Sequence, residues 1–363
     1  MNGFLLSRAD RTLRTCGSRD QYRGIDAAAE ALARRAVPLV VGALPFDPAD
    51  PAALTAPETM HRTAGPWQPG AAPALPEARI VDRLPSPDEH RARVARLVTR
   101  LRSGELDKVV AARSVLLEAD APVPPWSLLA RLVLQDPAGN GFGVDLSPAG
   151  GRYVGRSLVG ASPELLLRRT GREVECFPLA GTAPRHADPA ADRAEGEALL
   201  ASDKNRAEHA FVTDWIRDAL APVCTELTVP DAPRLISTRQ VWHLATPIRG
   251  VLREPAPSAL DLARLLHPTP AVGGTPFDAA LAAIRDTEEP RGFYGGAVGW
   301  CDADGDGEWV VAIRCAEVDA DGLRLQAWAG GGIVAASDPD AELAETSTKL
   351  GTLLGALGVN THG

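Results

Sequence analysis

Apolar and polar residues arrange the chain into short strand-like runs and a few longer helical segments. Strand patterns include Val37–Leu44, the run LDKVVAARS that begins at Leu106, and several short runs in the last third of the chain. Helical patterns cover Ala27–Ala36, about 193–220, and Asp338 to about Leu357. Because the strands cluster and are joined by hairpin-like turns such as DADGDGEW, we predict an α+β fold with antiparallel sheets rather than a βαβ repeat.

Segment boundaries follow from capping and from composition. Ser86 is a predicted N-cap of a helix that ends at Gly104. The segment 47–77 is rich in Pro, Ala and Gly, which predicts a long, weakly structured connector over the surface. The polar stretch Pro184–Asp192 predicts a loop, and we hypothesise that it closes over a nearby site.

Length, charge and cysteine content narrow the function classes. A chain of 363 residues allows about two domains or one large one, and a net charge of −9 argues against a nucleic-acid-binding surface. The longest apolar stretch, Val37–Phe46, is too short to span a membrane, and the first residues lack the features of a signal peptide. Five scattered cysteines without a CxxC pair predict reduced thiols and a cytoplasmic protein.

Lysine is rare in this chain. Only Lys108, Lys204 and Lys349 occur, against 35 arginines. A desolvated lysine can lose its proton and act as a base, which arginine cannot do. The alternative is that three residual lysines lie on a solvated surface by chance.

Two helical segments carry carboxylates at helical spacing. Glu342, Glu345 and Lys349 share one helix face, and Asn205 and Glu208 share a face of the segment near residue 200. Each set could be a solvated, salt-bridged surface. If the two faces meet, they would form an oxygen-lined site suited to Mg²⁺, which binds through one or two carboxylates and retained waters.

Glu164 stands immediately before three leucines in GASPELLLRR. It is either an edge-strand charge or a partly desolvated acid whose raised pKa would let it donate a proton near neutral pH. Paired with a lysine base, it would give a donor and an acceptor across one pocket.

Ten ordered blocks of sequence resemble isochorismate synthases of the chorismate-utilising enzyme family. They are LDKVVAARS, GASPELLLRR, PLAGTAPR, DKNRAEH, VWHLATPIRG, LHPTPAVGG, YGGAVGW, EWVVAIRCA, AGGGIVAAS and AETSTKL, and they cover roughly Leu101–Leu357. The family also contains salicylate, anthranilate and aminodeoxychorismate synthases. The resemblance implies large antiparallel sheets that form a core sandwich with helices outside. It assigns residues 101–363 to the chorismate-binding region and residues 1–100 to a less specific part of the same fold.

The resemblance implies catalytic and metal-binding roles. Lys108 is expected to be the general base that activates water for attack on C2 of chorismate, and Glu164 the acid that protonates the departing C4 hydroxyl. Mg²⁺ is expected to hold the ring carboxylate through Glu208 and Glu345. Glu342 is expected to bind a metal-bound water, and Asn205 takes the place of its usual acidic partner.

The resemblance also implies substrate contacts. Arg314 would clamp the enolpyruvyl carboxylate with its planar guanidinium. The resemblance places His243 near the reacting carbons of the substrate. A hydrogen-bonded core histidine explains this residue equally well. The remaining expected contacts are Gly181, Thr182, Ala271, Val272, Tyr294, Gly330 and Lys349.

Val272 and Tyr294 bear on the product, because some isochorismate synthases have Leu and Phe at these positions. We favour isochorismate formation for siderophore or menaquinone supply. Salicylate synthesis by pyruvate elimination, addition of an amine, and an inactive binding homologue are the alternatives. Lys108 argues against the amine-adding class. Chorismate and isochorismate are the expected ligands. We expect a monomer with no membrane, nucleic-acid or glutaminase partner.

Overall fold

The computed structural model describes residues 3–71 and 73–359, which form eight α-helices and 22 β-strands. The helices are α1 (Ile25–Ala33), α2 (Pro87–Arg102), α3 (Pro125–Gln135), α4 (Pro189–Ala201), α5 (Asp203–Leu220), α6 (Ala259–Leu266), α7 (Phe277–Thr287) and α8 (Pro339–Leu357). The strands are β1 (Gly3–Arg8), β2 (Arg11–Cys16), β3 (Asp20–Tyr22), β4 (Leu39–Leu44), β5 (Ala53–Ala56), β6 (Thr59–Ala64), β7 (Ala78–Leu84), β8 (Lys108–Ala119), β9 (Gly141–Asp145), β10 (Ser157–Gly160), β11 (Leu165–Thr170), β12 (Glu173–Phe177), β13 (Leu179–Pro184), β14 (Cys224–Thr228), β15 (Arg234–Ser237), β16 (Val241–Ala245), β17 (Ile248–Leu252), β18 (Gly274–Thr275), β19 (Ala297–Asp302), β20 (Gly307–Val311), β21 (Cys315–Val318) and β22 (Arg324–Ile333).

The strands form two large sheets and one small one. The ten-stranded sheet has the order β18-β8-β22-β21-β10-β9-β1-β2-β6, with β7 also paired to β8. The nine-stranded sheet has the order β14-β17-β12-β11-β20-β19-β4-β5-β3, and β13, β16 and β15 make the third sheet. Neighbouring strands run antiparallel, for example β8 against β22 and β19 against β20. The predicted α+β fold with large antiparallel sheets is therefore confirmed.

The two large sheets pack face to face, and helices cover their outer faces. Phe4 and Leu6 of β1 lie in the sandwich core, whereas Leu5 between them packs on the other face with α3 and α8. In β4, Val41 faces the sandwich and Val40 faces the helix-covered side. Strands buried on both faces carry continuous apolar runs rather than strict alternation.

The predicted connector contains two strands, so that expectation is wrong in part. β5 pairs with β3 and β4, and Leu54 within it is fully buried. β6 pairs with β2 at the end of the ten-stranded sheet and is exposed along its whole length. An exposed edge strand has no apolar face to produce an alternating pattern, which is why its sequence resembles a loop.

The helix predicted over residues 193–220 is two helices. Ser202 is extended and caps α5 by accepting a hydrogen bond from the Asn205 backbone N–H. α4 begins at Pro189 with Asp188 as its N-cap, so only residues 185–188 of the predicted loop Pro184–Asp192 lie outside a strand or helix. The predicted cap of α2 is confirmed, since Ser86 and Glu89 form a reciprocal capping box.

Within the described ranges, no helix has the length and apolar character needed to cross a membrane. The five cysteines all carry free thiols.

Candidate active site

Eleven of the fifteen residues predicted for the site line a single cavity. It lies where β13 and β16 of the small sheet approach β22, α5 and α8. The eleven residues are Glu164, Gly181, Thr182, Glu208, His243, Ala271, Val272, Tyr294, Arg314, Gly330 and Lys349. Segments more than 180 residues apart in sequence thus converge on one space.

The other four predicted residues are on elements that border the cavity. Lys108 is the first residue of β8, and Asn205 lies on α5 in the same turn as Glu208. Glu342 and Glu345 lie on α8, upstream of Lys349.

Each lysine of the chain is paired with a different glutamate of the site. Lys108 Nζ lies 3.2 Å from Glu208 Oε1, and Lys204 Nζ lies 3.1 Å from Glu342 Oε1. Lys349 Nζ donates to Glu345 Oε1 at 2.6 Å and to the Gly330 carbonyl at 2.9 Å. The scarce lysines are therefore not scattered over a solvated surface.

Two glycines of β22 leave room for the carboxylates. A Cβ atom at Gly332 would overlap the Glu208 carboxylate and lie 3.0 Å from Lys108 Cε. At Gly331, a Cβ atom would lie 2.9 Å from Glu342 Oε2 and 3.8 Å from Glu345 Oε1. All three carboxylates thus approach the same two residues of the strand.

The donor set at this position fits a hard divalent cation. Glu342 is 2% exposed, and its Oε2 has no hydrogen-bond partner in the described part of the chain. Burial, followed by the charge of Glu345, raises the pKa of Glu342. A cation nearby would relieve both the unpartnered oxygen and this repulsion.

Among the residues described, no three His, Cys, Asp or Glu side chains are grouped as a metal centre. A cation here would therefore rely on one or two carboxylates and water, which is how Mg²⁺ commonly binds. Glu208 and Glu345 would hold it, and Glu342 would bind one of its waters.

Glu164 is a buried carboxyl whose pKa lies close to neutral pH. It is 3% exposed, and burial raises its pKa to about 7. The Leu179 backbone N–H, 3.5 Å from Oε1, opposes this rise, as do the charges of Lys108, Lys349 and Arg314. A carboxyl with this pKa is half protonated at pH 7, so it can donate a proton.

Lys108 is fully buried at the start of β8. Its Nζ is close to Glu208, but the geometry is unsuited to a hydrogen bond, and the amine has no such partner among the described residues. Burying an ammonium without hydrogen bonds is costly. The Glu208 carboxylate beside it offsets part of this cost.

A chain of polar contacts runs from Arg314 to Thr182 through His243. Arg314 Nη2 lies 3.2 Å from His243 Nε2, and His243 Nδ1 lies 3.2 Å from Thr182 Oγ1. Burial, then the charges of Arg314 and Lys349, lower the pKa of His243 well below its usual range. The neutral ring therefore accepts from the guanidinium at Nε2 and donates from Nδ1 to Thr182. His243 is both a hydrogen-bonded buried histidine and part of the cavity wall.

Arg314 remains a cation at neutral pH, although burial lowers its pKa to about 10. Its backbone adopts a left-handed conformation with φ of 52°. Non-glycine residues in this region are uncommon and are found at functional sites. Arg314 lines the cavity from this unusual backbone position.

Several lining residues were not predicted from the sequence. Trp328 stacks on Tyr294, with ring centroids 5.9 Å apart and planes 10° apart. Val110, two residues after Lys108, also contributes to the wall. Their positions on β8 and β22 could have indicated them, since residues two apart on a strand share a face. The further lining residues are Leu179, Ala180, Ile313, Ala329 and Gly332.

Asn205 is not the α5 residue that contacts Glu342. Its Nδ2 donates to Ser202 Oγ at 2.9 Å, where it supports the start of the helix. Lys204, its neighbour, makes the contact with Glu342 instead. Ser337 Oγ, at 2.7 Å, is the other partner of the same carboxylate oxygen.

The fold and this cavity, with a buried carboxyl and a cluster of carboxylates beside it, are those of an enzyme. Residues 58–358 match the family described as chorismate binding enzyme, and the chain belongs to that family. The predicted family membership is confirmed. The match also begins at residue 58, well before Leu106, where the first of the quoted blocks starts.

Three comparisons show how close the relatives are. The chain is 50% identical over 360 residues to a Mycobacterium tuberculosis protein provisionally named isochorismate synthase MenF, covering 98% of this chain and 96% of that protein. It is 44% identical over 327 residues to isochorismate synthase DhbC of Bacillus subtilis, covering 89% and 81%. A crystal structure from Bacillus anthracis, provisionally described as the 2,3-dihydroxybenzoate-specific isochorismate synthase DhbC, superposes with a TM-score of 0.90 at 38% identity, covering 98% and 96%.

Proposed function

We propose that this protein is an isochorismate synthase, an isomerase that converts chorismate into isochorismate with Mg²⁺ as cofactor. The observation that carries the proposal is the pairing of a fully buried lysine with a buried carboxyl of pKa about 7 at one site. The names of the relatives support the same reaction.

In this mechanism Lys108 activates the nucleophile. Water is a poor nucleophile, and a base within reach of it lowers the barrier by removing a proton as the oxygen attacks C2. Lys108 takes that proton on Nζ. Its Nζ makes no hydrogen bond within the described part of the chain, which leaves the amine available to a reacting water and supports this role.

Glu164 assists the leaving group. As the bond between C4 and its hydroxyl oxygen breaks, Glu164 donates a proton to that oxygen, and water leaves. The new C2–O bond forms as the ring double bonds shift, so one water is gained and one is lost. Expulsion of hydroxide itself would be much slower, which is why the acid is required.

The charged residues around the cavity hold the substrate. Arg314 is suited to the enolpyruvyl carboxylate, because its fork can donate two parallel hydrogen bonds. Lys349 is expected to bind substrate next to Gly330. When bound, Mg²⁺ supplies positive charge that anchors the ring carboxylate, and Glu208 and Glu345 hold it in place.

Product identification tests the proposal directly. The pure protein is incubated with chorismate and Mg²⁺, and the products are separated by chromatography. Isochorismate without free pyruvate is the expected result. Salicylate with equimolar pyruvate would favour the alternative activity that Tyr294 leaves open, and no consumption of chorismate would refute both.

The metabolic context divides between two routes. MenF is the name given to the Mycobacterium tuberculosis relative and DhbC to the Bacillus subtilis relative. We propose that the isochorismate made here supplies menaquinone or siderophore synthesis.

A further inference from the structure

Lys204 has no role in the proposed reaction, yet it lies within the carboxylate cluster. It occurs one helical turn before Glu208 on α5, and its Nζ donates to Glu342 Oε1 at 3.1 Å. Its charge also interacts with Glu208 and Glu345. Lys204 thus interacts electrostatically with all three glutamates.

The charges of the site are nearly matched before any ligand arrives. Its three carboxylates are Glu208, Glu342 and Glu345, and each has a lysine partner. Arg314 adds a further cation, and Glu164 is close to half protonated at pH 7. Mg²⁺ arriving alone therefore enters a site where the charges of Lys204, Lys349 and Arg314 already offset most of the carboxylate charge.

A dianionic substrate arriving alone unbalances the site in the opposite sense, because it adds two negative charges. When both ligands bind, the two positive charges of Mg²⁺ cancel the two negative charges of the substrate. Opposite charges in a partly buried site interact several-fold more strongly than in water. Each ligand should therefore raise the affinity for the other by the same factor.

We propose that Lys204 is a built-in counter-cation that keeps the affinity for Mg²⁺ low until the dicarboxylate substrate is present. This inference rests on the proposed function, because it concerns the same metal and substrate. Lys204 suits the role because its side chain is 37% exposed and can swing away, whereas Lys108 is fully buried.

Isothermal titration calorimetry with Mg²⁺ tests this in a Glu164→Gln background, where turnover heat is suppressed. Titrations are run without chorismate and with saturating chorismate. With Lys204 present, we expect chorismate to tighten Mg²⁺ binding by about tenfold or more. Lys204→Gln should tighten Mg²⁺ binding in the absence of chorismate by about tenfold and should reduce the effect of chorismate.

Arg206→Gln is the matched control. Arg206 is an exposed residue on the same helix, two positions away, so the variant removes the same charge from a different face. Its Mg²⁺ affinities should equal those of the parent, and Lys204→Arg should retain the parent behaviour. Equal Mg²⁺ affinities for Lys204→Gln and Arg206→Gln without chorismate would overturn the inference while leaving the proposed function intact. Failure of the parent to bind Mg²⁺ even with chorismate would overturn both.

Discussion

Lys108 Nζ lies 3.2 Å from Glu208 Oε1, and the lysine side chain is completely buried. The proposed base and a proposed metal ligand are therefore neighbours. A substitution of Lys108 can therefore alter the position of Glu208, and a substitution of Glu208 can alter that of Lys108.

Lys108→Ala should abolish isochorismate formation, with kcat reduced by a factor of about 10³, within the range typical of general bases. Chorismate binding, measured by calorimetry, should change little because Arg314 and Lys349 remain. Chromatographic assay at saturating chorismate and Mg²⁺ measures the rate. A variant with parental kcat would remove Lys108 from the mechanism.

The pH dependence of kcat should show an alkaline limb set by Glu164. An acid must be protonated to donate, and the pKa of Glu164 is about 7, so the rate should fall as pH rises above that value. Glu164→Gln cannot donate a proton from a carboxyl and should lose the activity at every pH. An activity that is flat from pH 6 to pH 9 in the parent protein would contradict this assignment.

Glu164→Gln should also stabilise the fold at alkaline pH. The pKa of Glu164 is raised by burial, so the folded state holds its proton longer than the unfolded state, and stability is lost as pH rises from about 4.5 to about 7. The variant should gain about 3 kcal/mol in free energy of unfolding at pH 8 and under about 1 kcal/mol at pH 5. Urea denaturation at the two pH values measures both differences, and a gain independent of pH would count against a buried, titrating carboxyl.

Gly332→Ala should inactivate the enzyme, because the added methyl group would displace the Glu208 carboxylate and crowd Lys108. Gly351→Ala is the control. A Cβ atom there meets nothing within 4 Å, and alanine should stabilise α8 by up to about 1 kcal/mol. Activity assays of both variants, with circular dichroism to verify folding, should show loss of activity in Gly332→Ala and not in Gly351→Ala. Full activity in Gly332→Ala would show that the carboxylate need not approach the strand.

Glu345→Gln should raise the Mg²⁺ concentration for half-maximal activity by about tenfold or more, since an amide is a weaker ligand than a carboxylate for a hard cation. The Mg²⁺-induced rise in melting temperature should shrink in parallel. Asp340→Asn, on the exposed first turn of the same helix, provides the comparison. If both variants respond to Mg²⁺ alike, Glu345 does not bind the metal.

The sequence was informative where function depends on short segments. Lys108 and Glu164 each stand out because a charge interrupts an apolar run, and the structure buries both. The Ser86 cap could also be predicted, because a capping box depends on residues only three positions apart. The α+β fold followed from clustered strands and hairpin turns.

Contacts between distant segments could not be predicted from the sequence. Lys204 and Glu342 are 138 residues apart, so no local pattern links them, and the predicted site did not include Lys204. The break at Ser202 was hidden because helical periodicity continues on both sides of it. β6 was missed because an exposed edge strand leaves no apolar imprint.

The confinement of lysine to three positions has a practical consequence. Apart from the chain's amino terminus, every primary amine of the protein belongs to the carboxylate site. Amine-coupled surfaces and lysine-directed crosslinkers would therefore attach through this site or the terminus. Their rate of reaction at Lys204, the most exposed of the three, offers a chemical reporter of ligand occupancy that needs no engineered label.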